Sequence, residues 1–254
     1  MLTAITRGVS RTLADCELTW LARAPIDIDR AIAQHREYER CLAELGARVI
    51  SLPAAEEHPD GVFVEDPAIV LDEVAVIASM GCESRRGERA SLAAALAEYR
   101  PLIRMRDPAR LEGGDVMRIG KDLFVGLSAR TDEAGVAQLS DVLRSFGYRV
   151  IPVALRACLH LKSACSYLGE GSILINRDWL DARPLGGFRL IDVAPDEPGA
   201  ANALRVGETV LMPSAFPATA ALLRKAGFGV HVVDLTELLK AESGVTCSSL
   251  LFEA

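Results

Sequence analysis

The stretch Leu143-Arg144-Ser145-Phe146-Gly147-Tyr148-Arg149-Val150-Ile151 reads as a helix end, a glycine stop and an apolar strand. Glycine suits the left-handed residue that closes a helix, and β-branched residues then extend the chain. The same pattern stands at Cys41-Leu42-Ala43-Glu44-Leu45-Gly46-Ala47-Arg48-Val49-Ile50 and again at Leu223-Arg224-Lys225-Ala226-Gly227-Phe228-Gly229-Val230-His231-Val232-Val233. Self-similarity of this kind points to a repeat architecture.

A second element alternates with the first. Apolar strands are expected at Val74-Ala75-Val76-Ile77, Leu123-Phe124-Val125-Gly126, Ile173-Leu174-Ile175 and Thr209-Val210-Leu211-Met212. Each follows a turn: Asp72-Glu73, Gly120-Lys121-Asp122, Gly169-Glu170-Gly171 and Gly207-Glu208. One strand further back, each unit begins on a polar or reactive residue: Glu65-Asp66, Glu112, His160 and Asn202. The C-terminal Thr246-Cys247-Ser248-Ser249-Leu250-Leu251-Phe252 is a fifth such start, and the N-terminal strand is its expected partner. Steps from Glu65 to Glu112, His160, Asn202 and Cys247 are about 47, 48, 42 and 45 residues, within the range of repeat folds.

These units predict an α/β fold: a single domain over residues 1–254, made of about five ββαβ units closed into a ring. In a ring, equivalent positions converge near the axis, which would bring two acids, a histidine and a cysteine into one pocket. The competing reading is a doubly wound sheet, which short β–α alternation also suits, with polar residues at strand starts only because they leave the core.

Composition narrows the function classes. A net charge of −7, with no basic stripe beyond Arg85-Arg86, argues against a nucleic-acid partner. No run approaches the roughly 18 apolar residues of a membrane span. Met1 to Arg7 lack the basic flank and apolar run of a secretory signal. Six scattered cysteines without a C-x-x-C pair predict reduced thiols in a cytoplasmic protein.

Among the reactive residues, Cys247 is the candidate nucleophile and His160 the candidate proton-transfer group, since an imidazole with pKa about 6.5 can protonate a leaving amine and deprotonate water. An unplaced cysteine is more often a small buried hydrophobe, and an isolated acid more often a solvated surface group. Recurrence at equivalent unit starts argues the other way for Cys247, Glu65, Asp66 and Glu112. Carboxylates suit a bound guanidinium through bidentate, charge-assisted hydrogen bonds. Arg85 and Arg130 could fork onto an α-carboxylate, although Arg85-Arg86 between Glu83 and Glu88 also reads as a salt-bridged turn.

At these residues the chain resembles the pentein, or guanidine-modifying, superfamily, and within it the dimethylarginine dimethylaminohydrolase family. The carrying motifs are Phe63-Val64-Glu65-Asp66-Pro67, Glu83-Ser84-Arg85-Arg86-Gly87-Glu88, Leu111-Glu112-Gly113-Gly114-Asp115, Ser128-Ala129-Arg130-Thr131, His160-Leu161-Lys162 and Gly244-Val245-Thr246-Cys247-Ser248-Ser249-Leu250. The resemblance implies a five-bladed α/β propeller with a Cys247, His160 and Glu112 catalytic set. It implies that Asp60, Glu65 and Asp66 face the guanidinium, with Phe63 beside them. It also implies that Arg85 and Arg130 hold the substrate carboxylate and that Leu18 belongs to a lid over the pocket. The implied reaction turns a small molecule, methylated arginine, into citrulline and a methylamine, with no cofactor and no metal; a homodimer is left open.

Three rivals stay in view. Metal-dependent guanidino hydrolysis needs clustered ligands, and His35, His58, His160 and His231 are dispersed in sequence. An amidinotransferase or deiminase would use the same cysteine on another guanidine. A non-catalytic ring module, such as a ribosome anti-association factor, would have no need of Cys247, His160 and Glu112 together.

Overall fold

Residues 1–254 are described by a computed structural model in which short strands and helices alternate along the whole chain. The chain opens with β1 (Leu2–Arg7), α1 (Ile28–Glu44) and β2 (Arg48–Leu52). The Asp27 side chain caps α1 by accepting the Arg30 N–H at 3.0 Å, satisfying one of the helix's unpaired amides. Ala31, Gln34, His35, Tyr38, Cys41 and Leu42 form its buried face at three- and four-residue spacing. Gly46, at φ +95°, stops the helix in the left-handed conformation and turns the chain into β2.

Four ββαβ units follow. The first is β3 (Ala68–Val70), β4 (Ala75–Ile77), α2 (Arg89–Leu96) and β5 (Leu102–Arg104). The second is β6 (Val116–Ile119), β7 (Asp122–Leu127), α3 (Glu133–Leu143) and β8 (Arg149–Ala154). A single helical turn, α4 (Leu161–Ala164), introduces β9 (Cys165–Gly169), β10 (Ser172–Ile175) and β11 (Arg189–Asp192). The last unit is β12 (Leu204–Val206), β13 (Thr209–Pro213), α5 (Pro217–Lys225) and β14 (Gly229–Val233). After the short helix α6 (Thr236–Leu239), β15 (Leu250–Glu253) returns to pair antiparallel with β1.

Five three-stranded sheets result: β15-β1-β2, β3-β4-β5, β6-β7-β8, β9-β10-β11 and β12-β13-β14. In each, the middle strand pairs antiparallel with one neighbour and parallel with the other. This is the five-bladed α/β propeller, closed by the chain's own two ends. One crossover departs from the repeat: 3-10 turns at Arg177–Trp179 and Arg183–Leu185 stand between β10 and β11 in place of an α-helix. Pro184, Gly186 and Gly187 deny that segment a helix interior.

Apolar packing lies between blades, in five clusters. Each joins neighbouring sheets, as where Ile5 and Phe252 of the first blade meet Val64, Ile77 and Leu92 of the next. Another joins Val116, Leu123 and Leu139 to Ile69 and Val76. Each buried Leu or Ile contributes about 1.5–3 kcal/mol, so the ring is held at five seams. The loops before the first strand of each blade are thereby fixed around the axis. No helix is long and apolar enough to cross a membrane.

Candidate active site

The inter-blade packing brings the predicted unit starts together. Cys247, His160, Asp66, Asp60, Phe63, Arg85 and Arg130 line one cleft, with Glu17, Leu159, Ala241, Glu242 and Ser243 completing its wall. Glu112 lies just behind it, fully buried, with Oε2 2.9 Å from His160 Nε2 and Oε1 3.5 Å from Arg130 Nη1. His160 Nδ1 stands 3.7 Å from Asp66 Oδ1, so both ring nitrogens face carboxylates.

Two glycines permit this approach. A Cβ on Gly113 would run into the backbone carbonyls of Glu65 and Ala68, and one on Gly114 would sit 2.6 Å from both Asp66 Oδ1 and His160 Nδ1. The Gly113 N–H also donates to Asp66 O at 2.8 Å, locking the second and third blade starts together. The Glu-Gly-Gly-Asp run is thus a close backbone approach rather than a flexible turn.

Charge is balanced inside the cleft. Burial alone would lower the His160 pKa, but Asp66, Asp115 and Glu112 outweigh it and push it up to about 9. Burial works against ionised Glu112 and Asp66 too. The His160 hydrogen bond and charge hold Glu112 below the usual carboxylate range, and His160 with Arg85 does the same for Asp66. Burial, then Glu65 and Asp66, push the half-buried Cys247 thiol above its ordinary value, against a hydrogen bond from Gly244 N at 3.3 Å. Both shifts run upward, toward a protonated thiol and a protonated imidazole.

The two arginines differ. Arg85 uses four of its five N–H groups: it donates to Asp66 Oδ2 at 2.7 Å, to Glu88 at 3.0 and 2.9 Å, and to Phe63 O at 3.4 Å. Arg130 donates Nη2 to Thr19 Oγ1 at 3.3 Å and leaves a buried Nη1 without a hydrogen-bond partner. Of the two, Arg130 is the less engaged, its Nη1 meeting only the Glu112 carboxylate at 3.5 Å.

Glu65 and Leu18 do not line the cleft, although the Glu65 N–H donates to Cys247 O at 3.1 Å. The Glu65 carboxylate takes Lys162 Nζ at 2.5 Å and Thr246 Oγ1 at 2.7 Å, and it lines a separate cavity of about 420 Å³ walled by first strands of the blades. Leu18 packs against the apolar cluster around α1. Its segment, Cys16 to Asp27, has no regular structure and crosses the cleft. Glu17 N donates to Asp60 Oδ2 at 3.0 Å, and Ser84 Oγ reaches Glu17 Oε1 at 2.6 Å. Glu242 accepts the backbone N–H of Thr19 at 2.7 Å and those of Trp20 and Leu21. Held this way, the cleft keeps about 20 Å³, room on the order of a single water.

The repeat spacing does not mark Glu242, Asp115 or Lys162 as site residues. Asp115 and Lys162 lay in motifs already quoted, but Glu242 follows no repeat position and carries no local signal. Asp66, Glu112 and His160 also bring ligand-capable atoms within 4.8 Å of one another, a proximity that the dispersal of histidines in sequence does not reveal. Their atoms are engaged in the ion pairs above, so a metal here would have to displace the imidazole proton and the Arg85 contact.

Comparison with known proteins agrees across the chain. Residues 20–184 match the family model described as N,N dimethylarginine dimethylhydrolase, eukaryotic. An N(G),N(G)-dimethylarginine dimethylaminohydrolase of Pseudomonas aeruginosa is 34% identical over 250 residues, covering 98% of this chain and 98% of that protein. One from Streptomyces coelicolor is 36% identical over 248 residues, covering 97% and 95%. A solved cysteine-to-serine variant of the Pseudomonas aeruginosa protein, complexed with citrulline, superposes with a TM-score of 0.94 at 33% identity, covering 99% of this chain and 100% of that one.

Proposed function

Because this chain belongs to the dimethylarginine dimethylaminohydrolase family, we propose that it hydrolyses Nω-methylated arginine to citrulline and a methylamine through Cys247. The observation that supports this reading is one closed cleft containing a thiol, an imidazolium between two carboxylates, and an arginine with an unpartnered N–H.

In this reading Asp66 and Asp60 attract the guanidinium, and Arg130 takes the α-carboxylate with its Nη1. The bound cation lowers the pKa of the Cys247 thiol, which gives up its proton to solvent only with substrate present. Sulfur attacks the guanidinium carbon. The C–N bond to the methylated nitrogen breaks while His160 supplies the proton to the departing amine, leaving an S-alkylthiouronium on Cys247. Water then adds to the same carbon and gives a proton back to His160. The C–S bond breaks as the adduct's hydroxyl gives up its proton to the departing sulfur, releasing citrulline and restoring the Cys247 thiol. Glu112 keeps His160 Nε2 engaged, so Nδ1 is the nitrogen that trades protons. Closure of Cys16 to Asp27 excludes bulk water during the first step.

Residues 1–254 act as one catalytic domain in this proposal, since β15 and β1 close the ring between the chain's two ends. A cytoplasmic setting accords with six free cysteines, and the net charge of −7 argues against a nucleic-acid partner.

The test is incubation with asymmetric dimethylarginine, monomethylarginine, arginine and agmatine, assaying citrulline or its decarboxylated analogue, beside a Cys247→Ser control. Citrulline from the methylated substrates with wild type alone is expected. Equal yields from both proteins would remove the nucleophile assignment; turnover confined to arginine or agmatine would make the protein a deiminase.

A further inference from the structure

Asp115 is fully buried at the end of the Glu112-Gly113-Gly114-Asp115 run, and the chemistry above leaves it without a task. Its Oδ1 accepts the Leu161 N–H at 2.9 Å, fixing the first peptide after His160. Its Oδ2 accepts the Ser128 hydroxyl at 2.7 Å. Ser128 Oγ in turn accepts the N–H of Arg130 at 3.0 Å and of Thr131 at 3.1 Å, and the Thr131 hydroxyl accepts the Glu112 N–H at 3.1 Å. One carboxylate therefore roots the backbones that carry His160, Arg130 and Glu112.

The fold makes room for it. A Cβ at Gly126, in the central strand β7, would come within 2.6 Å of Asp115 Oδ1 and 2.9 Å of Leu161 Cβ. An asparagine has a single accepting oxygen and an NH2 that only donates, so it could not take both the Leu161 N–H and the Ser128 hydroxyl; two donors on two oxygens call for a carboxylate despite the cost of burying one. The titratable groups that face Asp115 are His160 and the Cys158 thiol; those that face His160 are Asp66, Glu112 and Asp115.

We propose that Asp115 is a positioning residue for the guanidine reaction: through Leu161, Ser128 and Thr131 it anchors the backbones that carry His160, Arg130 and Glu112 to one another. This rests on the function proposed above, since it assigns His160 the proton transfer and Arg130 the carboxylate. Burial lifts the Asp115 carboxyl to about 6 against the pull of His160 and its hydrogen-bond donors, so at neutral pH it faces the imidazolium as an anion.

The experiment compares wild type with Asp115→Asn, which keeps the size of the side chain, and Ser128→Ala, which removes the Asp115 Oδ2 bond and the branch to Arg130 and Thr131 but keeps the carboxylate and its bond to Leu161. His160 is followed by NMR through its ring Cε1–H, and kcat and KM are measured across pH. In Asp115→Asn the His160 midpoint should fall by about one pH unit. The alkaline limb of kcat should move down with it, and kcat should drop about 10–100-fold. In Ser128→Ala the His160 midpoint should move less than in Asp115→Asn, while KM for the amino acid rises severalfold. A His160 midpoint and kcat profile unchanged in Asp115→Asn would overturn the proposal. The NMR titration needs no substrate, so a wild-type protein that makes no citrulline would sink the functional reading while the His160 shift still judged Asp115.

Discussion

His160 Nε2 lies 2.9 Å from Glu112 Oε2, a residue 48 positions earlier in the chain and one blade away. This contact, with Asp66 on the other ring nitrogen, turns a neutral-pH switch into a group protonated up to about pH 9. An imidazole so held is an acid at rest, which suits protonation of a departing amine.

Stability should carry the mark of that shift. A folded-state pKa of about 9 lies above the unfolded value of about 6.5, so the folded state binds the extra proton. The stabilisation is fully present below about pH 6.5 and is lost as pH rises through about 9. Urea midpoints at pH 6.5 and 9.5 should differ more for wild type than for Glu112→Gln, whose imidazole has lost a carboxylate. An equal pH dependence in the two proteins would refute the pairing as a source of stability.

The thiol predicts a matching reactivity. With its pKa raised, Cys247 should alkylate slowly with iodoacetamide at pH 7, accelerating about tenfold per pH unit toward pH 9. Peptide mapping separates it from Cys82, the other cysteine that is not buried. Fast, pH-independent modification between pH 6 and 8 would mean that the free protein already holds a thiolate.

Arg130→Ala should raise KM for methylarginine by about 10–100-fold, the loss expected for charge-assisted hydrogen bonds worth roughly 1.5–3 kcal/mol. A methylated guanidine without a carboxylate should be affected far less. Steady-state kinetics on the two substrates decide it; equal losses on both would move Arg130 from carboxylate recognition to support of Glu112, its 3.5 Å neighbour.

Gly114→Ala places a methyl 2.6 Å from Asp66 Oδ1 and His160 Nδ1. The ring and carboxylate must part, so kcat should fall about 10²-fold, the scale of a 1 Å misplacement. Circular dichroism should report intact secondary structure. Wild-type kcat in this variant would show that the His160–Asp66 approach has no part in turnover.

Much of this architecture was legible in the chain because its signals are local and periodic. Glycine stops at Gly46, Gly147 and Gly227, and two-strand units with their turns, marked the blades and pointed to β1 as the partner of the C-terminal strand. The fourth crossover was less legible, since Pro184, Gly186 and Gly187 remove the helical signal without changing the topology. Unit starts located Cys247, His160, Glu112 and Asp66 because ring closure sends equivalent positions to the axis.

Which charge meets which was decided only by the tertiary structure. Glu65 and Asp66 are adjacent in sequence, yet one turns to Lys162 and Thr246 while the other meets His160 and Arg85. The paired Arg85, the less engaged Arg130, the hold of Glu242 on the segment across the cleft and the hub at Asp115 likewise depend on contacts between distant parts of the chain. Repeat spacing and strand propensity are properties of neighbouring residues, so the order of amino acids alone determined the ring and the chemical groups near its axis. Ion pairing and desolvation depend on distances of a few ångströms across blades, and those exist only once the five seams have closed.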